Sequence, residues 1–205
     1  MSESIQGLEP GQARIKRLFD FSLSLVGLIM VGWLIPLTAM LARLDTGQSG
    51  FYRQERIGYR GRSFQVIKIR TMRPVEGITT TITRVDDLRI TPIGRFLRRA
   101  KLDELPQLIN IIMGEMSFVG PRPDVEGFAD RLEGSDRIIL SVRPAITGPA
   151  TLRYRDEEKL LQTVDDPERY NREVIFPDKV RINREYIENY TLFGDIRYIF
   201  KTLLG

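Results

Sequence analysis

Twenty-two consecutive residues, Phe21 to Ala42 (FSLSLVGLIMVGWLIPLTAMLA), carry no charge. A straight helix of that length covers roughly 33 Å at about 1.5 Å per residue, enough to cross a hydrocarbon core of about 30 Å. The run is apolar on every face, unlike the one-sided helix of a water-soluble core. It is too long for a secretory signal peptide, and no small-residue cleavage site follows it. Residues 14–44 are therefore read as a membrane segment, behind a loose leader at 1–13 that contains Gly7, Pro10 and Gly11. Two features bear on whether it spans. Pro36 lies inside the run, where it removes a backbone donor and crowds the preceding turn. Both flanks are basic, with Arg14, Lys16 and Arg17 before the run and Arg43, Arg53, Arg56, Arg60 and Arg62 after it, so the charge bias selects no outer end. From these residues alone, a spanning helix and one that dips into a single leaflet and returns are both open.

The remaining length suits one domain, residues 45–205, rather than two. The chain of 205 residues contains no Cys and no His. That removes disulfides, thiolate nucleophiles, imidazole bases and Cys/His zinc sites, and leaves carboxylates, Lys, Arg, Tyr, hydroxyls and an oxygen-held divalent cation for any chemistry. A formal net charge of +4 hides an uneven distribution. Between Arg53 and Lys101 there are 13 basic and four acidic residues, a local net of +9. Such a block faces something anionic, be it nucleic acid, lipid headgroups or a phosphorylated small molecule, or it is a solvated basic surface.

Beyond Arg43 the patterning predicts an α+β domain, mostly helical with a small β-hairpin. Two strands flank a turn at Gly58 to Gly61, the second near Ser63 to Thr71, and period two puts Val66, Lys68 and Arg70 on one side. Residues 73–90 read as a loop. Thr91-Pro92 predicts a helix start, with Ile93, Phe96, Leu97 and Ala100 on one face and Arg95, Arg98 and Arg99 elsewhere. That pattern fits an amphipathic helix lying on an anionic membrane or an ordinary surface helix. Asp103 sits where a second helix would be capped, before Leu105, Leu108, Ile109 and Ile112, with Gly114 as its stop. Further helical stretches are predicted from Val125 to Leu132 and from Val180 to Leu204, the last with an aromatic stripe of Tyr186, Tyr190, Phe193, Tyr198 and Phe200.

The residues point to chemistry at Asp103-Glu104. A carboxylate at a helix N-terminus is stabilised by the dipole and free N–H groups, and two in succession can divide nucleophilic attack from metal or proton handling. Plain helix capping explains the same two residues. Arg122, between Pro121 and Pro123, has the stiffened backbone of an anion clamp, and also that of a surface turn.

The run GRFLRRAKLDELPQLINIIMGEMSFVGPRPDVEGF (Gly94 to Phe128), with FQVIKIRTM (Phe64 to Met72) before it and KRLFDF (Lys16 to Phe21) opening the apolar segment, resembles the bacterial sugar transferase family, the monotopic polyprenyl-phosphate phosphoglycosyl transferases. The resemblance covers roughly residues 14–205. It implies transfer of sugar-1-phosphate from a UDP-sugar to polyprenyl (undecaprenyl) phosphate, with release of UMP, in two steps with Mg²⁺, at the cytoplasmic face of the bacterial inner membrane. It implies Asp103 as the nucleophile that carries a covalent phosphosugar and Glu104 as its partner, both near the metal. Lys68, Arg98 and Arg122 match phosphate-binding positions, and Arg70, on the Lys68 side of its strand, joins them as a candidate. Pro36 matches the break of a re-entrant membrane helix, which favours the dipping arrangement. The resemblance leaves room for a homodimer and none for nucleic acid. Two departures stand out. Ala145 occupies a position where the family usually has Gly, and Pro149-Ala150-Thr151-Leu152 replaces the commoner Trp-Ala-Gln-Val, so the sugar stays open.

A membrane-anchored adaptor with a basic lipid- or partner-binding face would also explain the apolar segment and the +9 block. It gives no reason for LDELPQL and GPRP to occur together.

Overall fold

The computed structural model describes residues 7–75 and 87–204. Residues 1–6 of the expected leader at 1–13 and the central part of the expected 73–90 loop, residues 76–86, lie outside the described residues. The fold is mostly helical with a small amount of sheet, as the patterning predicts. The apolar run is divided between α1 (Pro10–Val31) and α2 (Leu34–Thr46), whose axes differ by 64°. Among the described residues no single helix is long and apolar enough to cross a membrane; the bent pair has the length and composition to do so. The bend falls at Gly32-Trp33, and Pro36 sits in the first turn of α2. Proline explains the location. In a straight helix the Gly32 carbonyl would receive the N–H of residue 36, which Pro36 lacks, and it accepts from Ile35 instead, at 3.1 Å.

Each helix of the pair has two unlike faces. Lys16, Asp20 and Ser24, four residues apart on α1, are buried, while Ile15, Leu18, Phe21, Leu25, Ile29 and Met30 are exposed. On α2 the small residues Thr38, Ala39 and Ala42 are buried, and Leu37, Met40 and Leu44 are exposed. The polar stripe of the apolar run is thus turned toward the rest of the protein and the apolar stripe away from it. Small residues on α2 permit a close approach to the sheet. A Cβ on Gly50, just before β1, would stand 1.8 Å from the Ala39 carbonyl oxygen, so only glycine fits there.

The hairpin forms as expected. β1 (Phe51–Ile57) pairs antiparallel with β2 (Ser63–Ile69), and Tyr52 faces Lys68. α3 (Pro92–Arg99) starts where Thr91 accepts the N–H of Gly94 at 2.9 Å, a genuine N-cap. Its buried face is narrow, Gly94 and Leu97 alone, and Ile93 and Phe96 are exposed. α4 (Gln107–Met113) ends at left-handed Gly114. Its buried face is Leu108, Asn110 and Ile111, rotated from the expected stripe of Leu105, Leu108, Ile109 and Ile112.

A second sheet, not foreseen in the sequence, joins β3 (Ser117–Val119) to β4 (Ala145–Thr147) in parallel. The helix expected from Val125 to Leu132 is reduced to one 3₁₀ turn, Ala129–Arg131. Gly127 is left-handed, and the Asp130 carboxylate accepts the N–H groups of Gly127 and Phe128, a local bond that competes with helix propagation. The remaining helices are α5 (Pro149–Arg153), α6 (Glu157–Gln162), α7 (Pro167–Tyr170), α8 (Phe176–Glu188) and α9 (Leu192–Leu204), with a π turn at Asn171–Ile175 leading into α8. The expected C-terminal helix is therefore two helices, parted at Asn189 to Thr191. Its aromatic residues divide: Tyr186 and Tyr190 are core, and Phe193 and Phe200 are exposed.

Candidate active site

The site is assembled by α4 acting as a rack. Asn110, fully buried in α4, accepts the N–H of Ile67 at 3.1 Å and donates to the Gln65 carbonyl at 2.8 Å and to Glu115 at 2.7 Å. These bonds fix the edge of β2, and with it Lys68, against the segment that precedes α4. α1 is fixed to the same helix. Ser24 donates to the Leu108 carbonyl at 2.7 Å, and Arg17 donates to the carbonyls of Ile111 and Ile112 at the helix end.

The preceding segment is a tight corner. Lys101 is left-handed, with φ of 57°, and Leu102–Glu104 form a single 3₁₀ turn before Pro106 opens α4. A non-glycine residue in that region costs of order 1–3 kcal/mol, strain that concentrates at functional positions. The corner overturns the capping account of Asp103-Glu104. Neither side chain caps the turn, α4 begins only at Gln107, and Asp103 Oδ1 is buried without a hydrogen-bond partner among the described residues.

Glu104 has the opposite surroundings. Its Oε1 accepts from Lys68 Nζ at 3.1 Å and from Arg122 at 2.8 Å. Burial pushes the Glu104 carboxyl up, but the charges of Arg122, Lys68 and Lys101 outweigh it and hold the group well below the usual carboxylate range. Asp103 is pushed up to about 6, first by burial and then by the charge of Glu104, against the pull of Lys68, Arg98 and Lys101. Lys68 is lowered by burial, an effect Glu104 opposes. The arrangement is one paired carboxylate and one spare, inside a ring of cations.

Of the phosphate-binding candidates, Lys68 and Arg122 meet at Glu104, and Arg122 keeps 45% of its side chain exposed to an incoming anion. Arg98 is paired with Glu158 and acts on Asp103 through its charge. Arg70 is not among the groups at Glu104. It lies just past β2, donates to the carbonyls of Ser49 at 2.7 Å and Phe51 at 3.4 Å, and covers the Tyr52 ring.

Sequence reasoning missed several neighbours. Arg56 donates to the Pro123 carbonyl at 3.2 Å, and the Ile57 N–H reaches the Asp124 carbonyl at 2.8 Å, which bind the Gly120-Pro121-Arg122-Pro123 turn to β1. Asp124 is pushed up to about 6 by burial, against Lys179 and Arg56. The double proline around Arg122 was the available signal for the turn; nothing local marks Arg56 as its tether.

Among the described residues no three Asp, Glu, His or Cys side chains gather into a metal cage. The donor set nonetheless suits Mg²⁺, which proteins hold through one or two carboxylates with water and substrate phosphate completing the shell. Asp103, with its unpartnered oxygen, offers the free carboxylate such an ion requires.

A family model described as bacterial sugar transferase matches residues 11–205. The exopolysaccharide production protein ExoY of Sinorhizobium fredii is 33% identical over 204 residues, covering 92% of this chain and 83% of that relative. The UDP-glucose:undecaprenyl-phosphate glucose-1-phosphate transferase of Escherichia coli is 32% identical over 92% of this chain, which spans 39% of that longer relative. A UDP-N-acetylgalactosamine-undecaprenyl-phosphate N-acetylgalactosaminephosphotransferase of Aeromonas hydrophila is 28% identical over 95% of this chain and 44% of its own length.

Proposed function

The chain belongs to the bacterial sugar transferase family, and from that premise we propose that it transfers sugar-1-phosphate from a UDP-sugar to undecaprenyl phosphate, releasing UMP, as a membrane step of polysaccharide assembly. The observation that carries the reading is the inequality within Asp103-Glu104. Asp103 presents a buried oxygen with no hydrogen bond among the described residues, and the charge of Glu104 is balanced by Lys68 and Arg122.

In the first step an Asp103 carboxylate oxygen attacks the phosphorus next to the sugar. The bond between that phosphorus and the bridging oxygen breaks, UMP leaves with the electron pair, and an aspartyl-phosphosugar remains. In the second step an oxygen of undecaprenyl phosphate attacks the same phosphorus, the bond to Asp103 breaks, and the carboxylate is regenerated. Both attacks bring anion to anion. Arg122, Lys68 and Arg98 lower that repulsion, and a fixed array of cations needs no rearrangement as charge develops. Glu104 orients Lys68 and Arg122 from one oxygen. Mg²⁺ held at Asp103 and the donor pyrophosphate would supply further neutralisation of phosphate charge.

Residues 14–44 serve in this reading as a re-entrant membrane element and residues 45–205 as the catalytic domain on the cytoplasmic face of the inner membrane. The exposed apolar stripes of α1 and α2 and the 64° bend support it. A cysteine introduced near Gln6 should stay protected from an impermeant thiol reagent in intact cells, and labelling from outside would exclude the re-entrant form. An adaptor would need the basic face, but not a strained corner presenting an unpartnered carboxylate.

The deciding experiment is UMP release by purified protein with Mg²⁺, undecaprenyl phosphate and a panel of UDP-sugars, beside Asp103→Asn. Release that requires the lipid phosphate and is absent from the variant is expected. Equal release by the variant would refute the assignment of the nucleophile.

A further inference from the structure

A cavity of about 410 Å³ lies apart from Lys68, Asp103, Glu104 and Arg122. It lies between the first half of α1 and the segment leading to β4, and its lining includes Lys16, Asp20, Tyr59, Arg60, Arg137 and Arg143. The charges are unbalanced. Lys16 is neutralised by Asp195, which leaves three guanidinium groups against the single carboxylate of Asp20, whose Oδ1 is engaged by the Phe118 N–H at 3.2 Å. Among the described residues, no carboxylate pairs with Arg60, Arg137 or Arg143.

All three arginines are held: Arg137 donates to the Leu132 carbonyl at 3.0 Å, and the other two meet at Tyr59. Arg143 donates from Nε to the Gly114 carbonyl at 2.7 Å and lies over the Tyr59 ring at 5.4 Å, which leaves its terminal nitrogens for another acceptor. Arg60 lies over the same ring at 5.0 Å. Its backbone is left-handed, with φ of 59°, at a turn that already contains Gly58 and Gly61. A glycine would adopt that conformation without strain, whereas arginine is strained there. Two guanidinium groups gathered on one tyrosine ring repel each other unless an anion lies between them, and their planar forks match phosphate oxygens.

We propose that this cavity binds a phosphate group at a site separate from the catalytic pair. Its volume admits a phosphate with a small polar substituent, the scale of a glycerophosphate headgroup. The phosphate can come from a phospholipid, since α1 both lines the cavity through Lys16 and exposes an apolar face that includes Ile15 and Leu18, or from a soluble phosphate compound.

The test is binding to the full chain in neutral detergent, read by thermal shift with two probes: inorganic phosphate, and short-chain phosphatidylglycerol with phosphatidylcholine of equal chain length as its control. A shift with phosphatidylglycerol alone identifies the lipid source, and a shift with inorganic phosphate the soluble one. In either case the affinity should fall at least tenfold in Arg60→Gly, a substitution that keeps the turn and relieves its strain, and in Arg143→Gln. UMP release by Arg60→Gly should match that of the unaltered protein. Absence of a shift with both probes would overturn the proposal, as would a shift that both variants retain, because that binding belongs to the Lys68 and Arg122 cations.

Discussion

Asp103 and Glu104 are consecutive in the chain and electrostatically opposite. Glu104 receives Lys68 at 3.1 Å and Arg122 at 2.8 Å through one oxygen, while a carboxylate oxygen of Asp103 is buried with no donor to it among the described residues. The left-handed Lys101 turns the chain so that the two side chains meet different surroundings. The difference between them is thus set by a backbone conformation and by residues from two other segments, β2 and the proline-flanked turn.

That difference has a pH signature. The proposed nucleophilic attack requires ionised Asp103, whose carboxyl is pushed up to about 6 by burial and by Glu104. The rate at limiting donor should be level above about pH 7 and fall tenfold per unit below about pH 6. The profile of UMP release against pH checks it, and a fall beginning only near pH 4 would contradict the assignment.

Asp103→Asn should abolish turnover and stabilise the fold. The folded carboxyl holds its proton more tightly than the unfolded one, so its contribution is full below about pH 4 and is lost as the pH rises through 6. At pH 8 the ionised group is therefore a burden, and its removal should add about 1–3 kcal/mol of stability. Thermal unfolding at pH 8 and pH 4 measures this, with the gain expected at pH 8 only.

Glu104→Gln should do the reverse. It leaves Lys68 and Arg122 facing a neutral amide, and the loss of a shared counter-charge in a partly buried site costs about 1–3 kcal/mol. Turnover should drop at least a hundredfold, and Glu104→Asp, which shortens the reach to both cations, should recover part of the stability and little of the rate.

Asn110→Ala removes three hydrogen bonds from the rack between β2 and α4. A loss of about 2–3 kcal/mol is expected, with a rise in KM for the donor as Lys68 loses its register. Denaturant unfolding and donor titration report the two effects separately.

What the sequence disclosed were features signalled within a few residues. Gly58 to Gly61 marked the hairpin, Thr91-Pro92 the start of α3 and Gly114 the end of α4, because each encodes its turn or cap locally. The β3·β4 pair escaped because three-residue strands carry no period, and a parallel pairing depends on the crossover between them. Asn110 sat at a position that helical spacing reserves for neither core nor surface, and its role lies in the backbone edge it faces. Asp103 and Glu104 were found as a pair, but the corner that distinguishes them rests on a left-handed lysine, for which no composition rule exists. Arg70 was drawn toward the site by strand alternation, which stops at Ile69, one residue before it.

The stripe of Lys16, Asp20 and Ser24 has a consequence for how this protein can be handled. Lys16 is paired with Asp195, Asp20 receives the Phe118 N–H, and Ser24 grips Leu108. Each of those partners lies in the part that carries the chemistry. The apolar segment is therefore no detachable tether: a truncated chain begun after Thr46 would bare Asp195 and the backbone groups of Phe118 and Leu108 that the stripe engages, and exchange for a generic hydrophobic helix would do the same. Solubilisation of this enzyme has to proceed by substitution on the outward faces of α1 and α2, with the inward polar stripe left intact.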